Sequence, residues 1–412
     1  MIATVAICAG ATAGVIARPF RWPEAIWAVG GALLLLITGL IAPAAAWGAV
    51  LKGSDVYLFL IGMMLLSEAA REQGVFDWVA NLAAARANGS ATRLFTLVFL
   101  TGVVVTTFLS NDATAVVLTP AVYAVARQAE VKPLPLLFAC ALVANAASFV
   151  LPISNPANLV LYASELPRLG AWLGAFALPS VLALLATYAG LRFLFRDALS
   201  GTAAQGEGVS LSTGGRLALI GIGATATLLT IASAVGWDLG WPTFGAGLAT
   251  AIAVQARAGE TPLPLLRRVS WSVLLLVAGL FVMVEALAET GLIQWLATQV
   301  MHGAASDLRA TAAAAGGLLA VGSNAINNLP AGLIAAQTIA AAHPPKLIVD
   351  ALLIGVDLGP NLSITGSLAT ILWLIAIRRE GEDVSFFQFL RVGVVTTVPA
   401  LILAIGVRVL LG

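Results

Sequence analysis

The 412-residue sequence contains little charge, since Asp, Glu, Lys and Arg together make up 10% of it. Soluble domains carry charge on about a quarter of their residues, so a water-soluble globular protein is excluded. The net charge of +1 provides neither the basic field that attracts nucleic acid nor an acidic tail. Hydrophobic residues reach 60%, and we therefore expect lipid to surround most of the chain.

Residues that bind metals or form disulfides are also scarce. Cys8 and Cys140 stand alone in apolar stretches and predict neither a disulfide framework nor a thiolate cluster. His302 and His343 are too few for a histidine metal site, and both fall in predicted extramembrane segments, where neither could serve as the base of a membrane-embedded serine hydrolase. We expect no metal, no cofactor and no enzymatic activity.

Ten long apolar stretches predict ten crossings of an all-α polytopic membrane protein. The first has no preceding Lys or Arg, so we expect it to remain as a membrane segment and not to be cleaved as a signal peptide. The stretches are approximately residues 2–17, 25–42, 55–70, 134–162, 171–195, 217–237, 241–256, 271–288, 347–377 and 386–411.

Two further regions, residues 93–127 and 309–342, each contain two apolar arms that meet at a polar cluster. As a helix, the arm over residues 94–110 would be about 25 Å long, shorter than a hydrocarbon core of ~30 Å. We interpret both regions as re-entrant hairpins. The alternative, two ordinary helices joined by a polar turn, leaves the sidedness of the other segments unchanged.

The distribution of Lys and Arg predicts the orientation, because positively charged short loops stay in the cytoplasm. Sixteen of the 21 basic residues fall on one face and five on the other. The five are Lys52, Arg168, Arg309, Lys346 and Arg408. We therefore expect a protein of the inner (cytoplasmic) membrane with both termini in the periplasm. The first hairpin would enter from the cytoplasm and the second from outside.

Residue offsets indicate an internal duplication. Gly62, Glu68, Gly74 and Trp78 match Gly279, Glu285, Gly291 and Trp295 at a shift of 217. Ser110 and Asn111 match Ser323 and Asn324 at 213, and Ser154, Leu161 and Tyr162 match Thr365, Leu372 and Trp373 at 211. Each half then contains five crossings and one hairpin. Because five is odd, residues 1–200 and 201–412 are predicted to be inverted-topology repeats, with a seam over residues 196–215.

The fourth and ninth stretches are interrupted, by Pro152 to Pro156 and by Gly359-Pro360-Asn361. Asn155 is a good N-cap and Pro156 a good first residue for a half-helix that starts inside the membrane. Such backbone is tolerated at bilayer depth where it is buried in protein or lines a wet cavity. Inverted repeats with interrupted helices are typical of secondary transporters with a midplane binding site.

Four polar clusters at the hairpin tips and the breaks would converge at this midplane. Asn, Ser and Thr offer both hydrogen-bond donors and acceptors, and these clusters contain no Lys or Arg, which favours a neutral substrate. The candidate substrate-binding residues are Ser110, Asn111, Thr114, Ser154, Asn155, Asn158, Ser323, Asn324, Asn327, Asn328, Thr365, Gly366 and Ser367.

At these residues the chain resembles the arsenical pump membrane protein (ArsB) family of the ion transporter superfamily. The matching segments are FLSNDATAVVLTPAV, FVLPISNPANLVLY, VGSNAINNLPAGLIA and VDLGPNLSITGSLATILWL. The resemblance implies export of trivalent arsenite and antimonite in exchange for protons, with an optional soluble ATPase partner. Family members are commonly described with twelve segments, against ten crossings and two hairpins here. Arsenite at pH 7 is largely an uncharged trihydroxide, which fits hydroxyl and amide ligands.

Asp112 and Asp357 are the candidate proton-coupling residues, because intramembrane acids are functional candidates and these two break the repeat symmetry. In the residue alignment they face Ala325 and Ala146. We interpret the symmetric pair Glu68 and Glu285 as structural or interfacial. Asp350, nearer a segment end, is interpreted as solvated.

Other functions compete with arsenite export. A sodium/proton antiporter of the NhaD type would use Asp112 and Asp357 to coordinate Na⁺. A carboxylate transporter is less favoured, since the residues after the two Ser-Asn pairs are Asp112 and Ala325 where a Thr would be expected. A membrane hydrolase with two catalytic Asp residues would need a Gly-x-Gly-Asp signature, which flanks neither residue.

Overall fold

The computed structural model describes residues 1–18, 20, 22–162, 166–204, 210–261 and 263–412. Within these ranges the chain is helical, and no β-strand is found beyond an isolated bridge between Ser90 and Thr202. The expectation of an all-α protein is confirmed. Arg21, one of the sixteen basic residues on the predicted cytoplasmic face, lies outside the described residues, as do residues 205–209 of the seam.

Among the described residues, ten helices form each half of the chain. The first half has α1 (Ile2–Ala17), α2 (Glu24–Ile37), α3 (Pro43–Lys52), α4 (Ser54–Glu72), α5 (Val75–Arg86), α6 (Ala91–Phe108), α7 (111–128), α8 (Pro133–Ala146), α9 (Pro156–Tyr162) and α10 (Leu169–Leu194). Helix α7 contains a π-helical turn at Thr114–Leu118. Such turns are rare and frequently found at functional sites.

The second half repeats this order helix for helix. It has α11 (Thr213–Val235), α12 (Gly240–Ala258), α13 (Leu263–Arg268), α14 (Ser272–Ala288), α15 (Leu292–Ser306), α16 (Leu308–Ile326), α17 (Asn328–Ala342), α18 (Lys346–Leu358), α19 (Leu368–Arg379) and α20 (Phe386–Leu411). The gap between α10 and α11 coincides with the predicted seam. This correspondence supports a duplication, and the opposite orientation of the halves stays a prediction.

The sequence prediction missed four short helices, α3, α5, α13 and α15. They are 10, 12, 6 and 15 residues long and connect longer elements. Helices this short are marginal by themselves and depend on packing against their neighbours. Their local sequence therefore gave a weaker signal than the long apolar stretches.

Few helices meet a strict length and hydropathy requirement for a membrane span. Among the described residues, α6, α10, α11 and α20 meet it by length and composition, and two bent pairs, α3 with α4 and α14 with α15, raise the number to six. Of the remaining predicted crossings, α1, α2 and α8 are apolar helices shorter than 18 residues. The number of ten crossings therefore stays a prediction.

The first arm of the first hairpin starts earlier than predicted. Helix α6 begins at Ala91 because the side chain of Ser90 accepts a hydrogen bond from the backbone N–H of Arg93 at 3.3 Å. Its 18 residues correspond to about 27 Å. This length favours the alternative of an ordinary crossing for this arm.

The halves interlock through matching helix pairs. Helix α2 packs on α14, and α4 packs on α12. Gly62 and Gly279, which marked the duplication in the sequence, lie at these two crossings: a Cβ atom on Gly62 would overlap the backbone of Thr243, and one on Gly279 would lie 2.7 Å from the carbonyl carbon of Ala28. Glycine at both positions lets the helix backbones approach closely.

Helices α8 and α18 lie at the centre of the molecule. From Pro135 to Ala146 in α8, and from Leu347 to Leu358 in α18, every residue is buried. A helix that is apolar on all sides belongs in the interior of a membrane bundle. The polar residues of these helices are therefore enclosed by protein.

We expect the seam to face the cytoplasm and the loop between α17 and α18 to face the periplasm, because of the sixteen-to-five charge distribution. Exposed Ser200 and His343 report on these two sites. In a Cys8→Ala, Cys140→Ala background, His343→Cys should react with an impermeant thiol reagent in intact spheroplasts. Ser200→Cys should react with the reagent only after the membrane has been permeabilised. The reverse pattern would contradict the predicted orientation.

Candidate functional site

The hairpin tips and helix breaks of both halves meet at one small central cavity. Twelve residues line it, six from each half: Val56, Leu60, Asn111, Asp112, Asn155 and Pro156, with Val273, Val277, Asn328, Leu329, Leu368 and Ala369. The first four of each set are related by a shift of 217, and in both halves the last two lie at the start of the half-helix after the break. Both halves thus contribute equivalent elements to the cavity. The space open to the centre of a water-sized sphere is about 20 Å³.

The first hairpin tip contributes an amide and a carboxylate to the cavity. The hydroxyl of Ser110 accepts a hydrogen bond from the N–H of Ala113 at 3.3 Å, which starts α7. The Oδ1 atom of Asn111 accepts from the N–H of Asp112 at 2.9 Å. The carboxylate of Asp112 lines the cavity and makes no hydrogen bond or ion pair to any other described residue. It is therefore available to a ligand.

The second hairpin tip lies four residues later than the sequence alignment indicated. Ser323 and Asn324 were matched to the first tip, but they lie in the last turn of α16, where their side chains donate to the carbonyls of Leu319 and Ala320, both at 2.8 Å. The chain reverses at Asn327. The alignment was wrong here because it matched an identical residue pair and not the position of the turn.

Asn327 and Asn328 are the structural counterparts of Ser110 and Asn111. The side chain of Asn327 accepts from the N–H of Leu329 and caps α17, as Ser110 caps α7. Asn327 and Asn328 follow Ser110 and Asn111 by 217 residues, the same shift that relates Gly62 to Gly279 in the preceding helices. Asp112 consequently corresponds to Leu329, and not to Ala325 as the alignment had it. The acid still has no acidic counterpart.

The half-helices after the two breaks are both capped by a side chain, and the cap at Asn155 is the one that the sequence predicts. Asn155 accepts through Oδ1 from the N–H of Ala157 at 3.0 Å, and its Nδ2 donates to Oδ1 of Asp357 at 2.8 Å. Ser367 accepts from the N–H of Thr370 at 3.1 Å. Asn155 and Ser367 precede the equivalent helices α9 and α19, so both breaks end in the same type of N-terminus.

Several predicted binding residues hold the first break in place and do not line the cavity. The Nδ2 group of Asn158 donates to the carbonyls of Ser148, Leu151 and Pro152 at 2.9, 3.3 and 3.2 Å. Ser154 donates to the carbonyl of Thr107 at 3.1 Å. These bonds satisfy backbone groups that the broken helix leaves open inside the bundle. In the first hairpin, Thr114 likewise bonds Thr106, hydroxyl to hydroxyl, at 2.8 Å.

The second break is joined to the second hairpin in the same way. Asn324 donates through Nδ2 to the carbonyl of Gly359 at 2.9 Å, while Asn327 donates to that of Thr365 at 3.3 Å. Thr365 donates to the carbonyl of Asn324 at 3.2 Å, and the N–H of Asn328 donates to the carbonyl of Gly366 at 2.9 Å. Of the predicted residues in this half, Asn328 alone lines the cavity.

Asp357 is fully buried one residue before the end of α18. Its Oδ2 atom has no hydrogen-bond partner among the described residues. By helix position its counterpart is Asn145 and not Ala146, since α8 ends at Ala146 and α18 at Leu358. Asn145 and Asn361 form a pair that sequence reasoning missed, with Nδ2 of Asn145 donating to Oδ1 of Asn361 at 2.9 Å. An isolated Asn in an apolar stretch gave no signal.

Other acids differ in their environment. Glu68 pairs with Arg71 on its own helix, whereas Glu285 pairs with Lys52 at 2.9 Å and accepts from Gln337 at 3.3 Å. These contacts are consistent with a structural role. Asp350 is not solvated as the sequence analysis proposed. It is fully buried, because α18 lies in the interior from its second residue onward.

Two larger cavities flank the central one. The first is lined by Glu68 and Arg268 and also by Leu60, Asp112 and Pro156, which it shares with the central cavity. The second is lined by Lys52 and Asp238 and shares only Val56. The central cavity thus shares four lining residues, Val273 included, with the cavity of Arg268 on the predicted cytoplasmic side, and one with the cavity of Lys52.

Cysteine and metal chemistry find no support at the site. Cys8 and Cys140 are buried and line none of these three cavities. Within the described ranges, no group of three or more His, Cys, Asp or Glu side chains is placed to hold a metal ion.

Known proteins resemble this chain over most of its length. It is 28% identical over 403 residues to the arsenical pump membrane protein of Escherichia coli (strain K12), an alignment that covers 91% of each chain. The protein of the same name from Yersinia enterocolitica is 28% identical over 401 residues. An uncharacterized transporter of Mycobacterium tuberculosis (strain H37Rv) is 29% identical over 369 residues, 85% of this chain and 84% of that one. The resemblance found in the sequence is confirmed.

Solved structures share the fold at low sequence identity. The YdaH transporter of Alcanivorax borkumensis matches with a TM-score of 0.57 and 15% identity, over 89% of this chain and 86% of that one. MtrF of Neisseria gonorrhoeae matches with a TM-score of 0.51 and 12% identity, over 92% and 84%. These likenesses establish a membrane transporter fold.

The sequence profile of one transporter family covers most of the chain. It matches residues 13–377, a range that includes both hairpins, both breaks and all twelve residues of the central cavity. The chain belongs to this family, which is described as CitMHS, citrate transporter.

Proposed function

We propose that the protein exports trivalent arsenite and antimonite from the cytoplasm across the inner membrane in exchange for protons. The observation that carries the proposal is the composition of the central cavity. Asn111, Asn155, Asn328 and Asp112 line it, no Lys or Arg lines it, and the rest of its lining is apolar. Such a site suits a small uncharged solute with hydroxyl groups.

Size and charge favour arsenite over citrate. The cavity has about 20 Å³ of water-sized space, little more than one water molecule requires. Arsenous acid has three hydroxyl groups around one atom, whereas citrate carries three carboxylates on a carbon chain. Among the three cavities, the basic side chains of Arg268 and Lys52 line the two flanking ones. The arsenical pumps, 28% identical over 91% of the chain, agree with this preference.

The predicted site residues divide into two groups under this proposal. Asn111, Asn155 and Asn328 bind the substrate hydroxyls directly. The others hold the tips and breaks in the shape that presents these amides, through the hydrogen bonds described above. They are Ser110, Thr114, Ser154, Asn158, Ser323, Asn324, Asn327, Thr365, Gly366 and Ser367.

Residues 1–200 and 201–412 act as inverted repeats in this proposal. Two mirrored halves around one midplane site can open it to either side in turn. The matching helix order and the pairwise lining of the cavity support this arrangement.

Asp112 is the first candidate for proton coupling and Asp357 the second. An antiporter must not reorient with both ligands or with neither, so a carboxylate beside the substrate is a suitable switch. It would be ionised while arsenite is bound and protonated on the empty return. One proton inward per neutral molecule outward also lets the membrane potential drive export, by about 2.3 kcal/mol per 100 mV.

Inverted membrane vesicles test the substrate. With an imposed pH gradient and no ATP, we expect accumulation of arsenite and antimonite that does not depend on Na⁺. Citrate should neither accumulate nor compete. The omission of ATP also tests whether transport requires a soluble ATPase partner.

Three results would contradict arsenite export. Sodium-driven proton movement without arsenite uptake would indicate the NhaD-type antiporter, for which the uncompensated carboxylates of Asp112 and Asp357 would be the cation ligands. Accumulation of citrate would indicate the carboxylate transport of the family description. A requirement for ATP would exclude exchange for protons as a sufficient energy source.

Alanine at Asn111, Asn155 or Asn328 should lower the affinity for arsenite about tenfold or more. Each substitution removes a buried hydrogen-bonding group, and the partner left unsatisfied costs about 1–3 kcal/mol. Resistance of cells to arsenite and uptake into vesicles measure the effect at equal expression. Asn81→Ala is the matched control, since Asn81 lies on α5 and bonds only the carbonyl of Asp77. Wild-type affinity in all three variants would contradict the assignment.

Asp112→Asn should abolish uptake driven by the pH gradient and retain arsenite binding. Asparagine can still cap or hydrogen-bond but cannot titrate. Asp357→Asn tests the second candidate, and Asp197→Asn, at an exposed side chain, is the control. Full gradient-driven uptake in both variants would exclude these carboxylates as the coupling site.

A further inference from the structure

A buried ionic cluster lies seven residues before Asp357 on α18. Asp350 has no exposed surface, and its Oδ2 accepts from Nε and Nη2 of Arg408 at 2.9 and 2.7 Å. Lys346 Nζ lies 3.3 Å from the same oxygen. The Oδ1 atom accepts from the hydroxyl of Tyr162 at 2.6 Å. Both carboxylate oxygens of Asp350 accept hydrogen bonds, whereas Oδ2 of Asp357 has no partner among the described residues.

The equivalent position in the other half of the chain is apolar. By helix position, Phe138 on α8 is the counterpart of Asp350, and there Phe138 packs on Trp373 and Phe389 with ring centroids 5.5 and 5.8 Å apart. An apolar aromatic group therefore fills the equivalent place in the other half. Buried ion pairs are often no more stabilising than apolar residues of similar volume. Stability alone therefore does not account for an ionic cluster at this position.

The geometry of α9 supplies a reason for the cluster. Asp350 and Asp357 are seven residues apart, two turns along one face of α18. Asn155 and Tyr162, at the two ends of α9, are also seven residues apart. The hydrogen bonds join Tyr162 to Asp350 and Asn155 to Asp357, at 2.6 and 2.8 Å. The half-helix is thus fastened at both ends to a single helix.

We propose that Asp350 is a positioning residue of the binding site, which holds α9 through Tyr162 and thereby sets the place of the Asn155 amide. The inference rests on the proposed function, in which Asn155 binds the substrate. A seven-residue helix is too short to be stable without external contacts. Arg408 and Lys346 balance the charge of Asp350, so its Oδ1 remains a fixed acceptor for Tyr162 inside the bundle.

The first test measures the position of α9 without any substrate. Leu159 is buried on α9 and faces the cavity that contains Lys52. In purified protein with Cys8→Ala, Cys140→Ala and Leu159→Cys, we expect Tyr162→Phe to raise the rate of reaction with a small methanethiosulfonate about fivefold or more. Tyr188→Phe, which removes a hydroxyl bonded to Thr96 at 2.8 Å, should leave the rate unchanged.

Two paired substitutions separate the hydrogen bond from the ion pair. Asp350→Leu with Arg408→Leu removes the acceptor and the cation together and leaves no unpaired charge from the pair. It should accelerate labelling as Tyr162→Phe does. Asp350→Asn with Arg408→Gln keeps an oxygen for Tyr162 and should label more slowly than either.

Transport then links the position of α9 to the site. We expect Tyr162→Phe to raise the KM for arsenite in vesicles about fivefold to tenfold, with a smaller change in maximal rate. Tyr188→Phe should keep the wild-type KM.

Equal labelling rates in Tyr162→Phe, the leucine pair and the parent protein would overturn the inference. An unchanged KM in Tyr162→Phe would do so as well. Failure of the unsubstituted protein to transport arsenite would overturn the proposed function instead, and the labelling comparison would still decide the role of Asp350.

Discussion

Backbone groups inside a membrane must find hydrogen-bond partners within the protein, and the central architecture of this molecule follows from that constraint. Two helices are interrupted near the centre, and each interruption frees several carbonyl and N–H groups. Asn158 satisfies three carbonyls of the first break, while Asn324 and Asn327 satisfy carbonyls of the second. Among the described residues, Asn155 alone of the cap residues of the breaks also lines the central cavity.

The central cavity is symmetric in position and asymmetric in chemistry. Four pairs of its lining residues occupy equivalent helix positions in the two halves, at a shift of 217. In one of these pairs Asp112 corresponds to Leu329, and by helix position Asp357 corresponds to Asn145. Asp112 lies in the first half and Asp357 in the second, so each half contributes one acid that has no acidic counterpart in the other. In the proposed exchange, the equivalent halves open the site to either side in turn, and these acids carry the proton.

Much of the fold could be predicted from the sequence, because long apolar runs indicate membrane segments, and proline and asparagine within them indicate breaks. For this reason helices occupy the ten apolar stretches, and both breaks and the N-cap at Asn155 lie where the sequence predicted them. Ten crossings of the membrane stay a prediction. The position of the second hairpin tip was predicted wrongly, because a matching residue pair does not fix where a helix ends. Ser323-Asn324 has the same sequence as the first tip, but α16 continues to Ile326 and the chain reverses at Asn327.

Asp350 illustrates a different limit of the sequence. Its distance from the segment end suggested contact with solvent, yet its partners Tyr162 and Arg408 lie 188 and 58 residues away along the chain. No local pattern reveals a hydrogen bond between residues so far apart. The sequence did not predict four short helices, α3, α5, α13 and α15, for a related reason. Their helicity depends on packing against neighbours that are distant in the sequence.

The ion pair of Glu285 makes the surroundings of the two hairpins unequal. Glu285 on α14 holds both Lys52 of α3 and Gln337 of α17, so the second hairpin is tethered to the surrounding helices. At the equivalent places Glu68 finds Val269 and Pro120, which offer no side-chain donor, and it pairs only within its own helix. The second hairpin is therefore joined to its neighbours by side-chain polar contacts that the equivalent positions of the first half lack, whereas in the first half Glu72 joins α4 to Gln255 of α12 and Arg268 of α13.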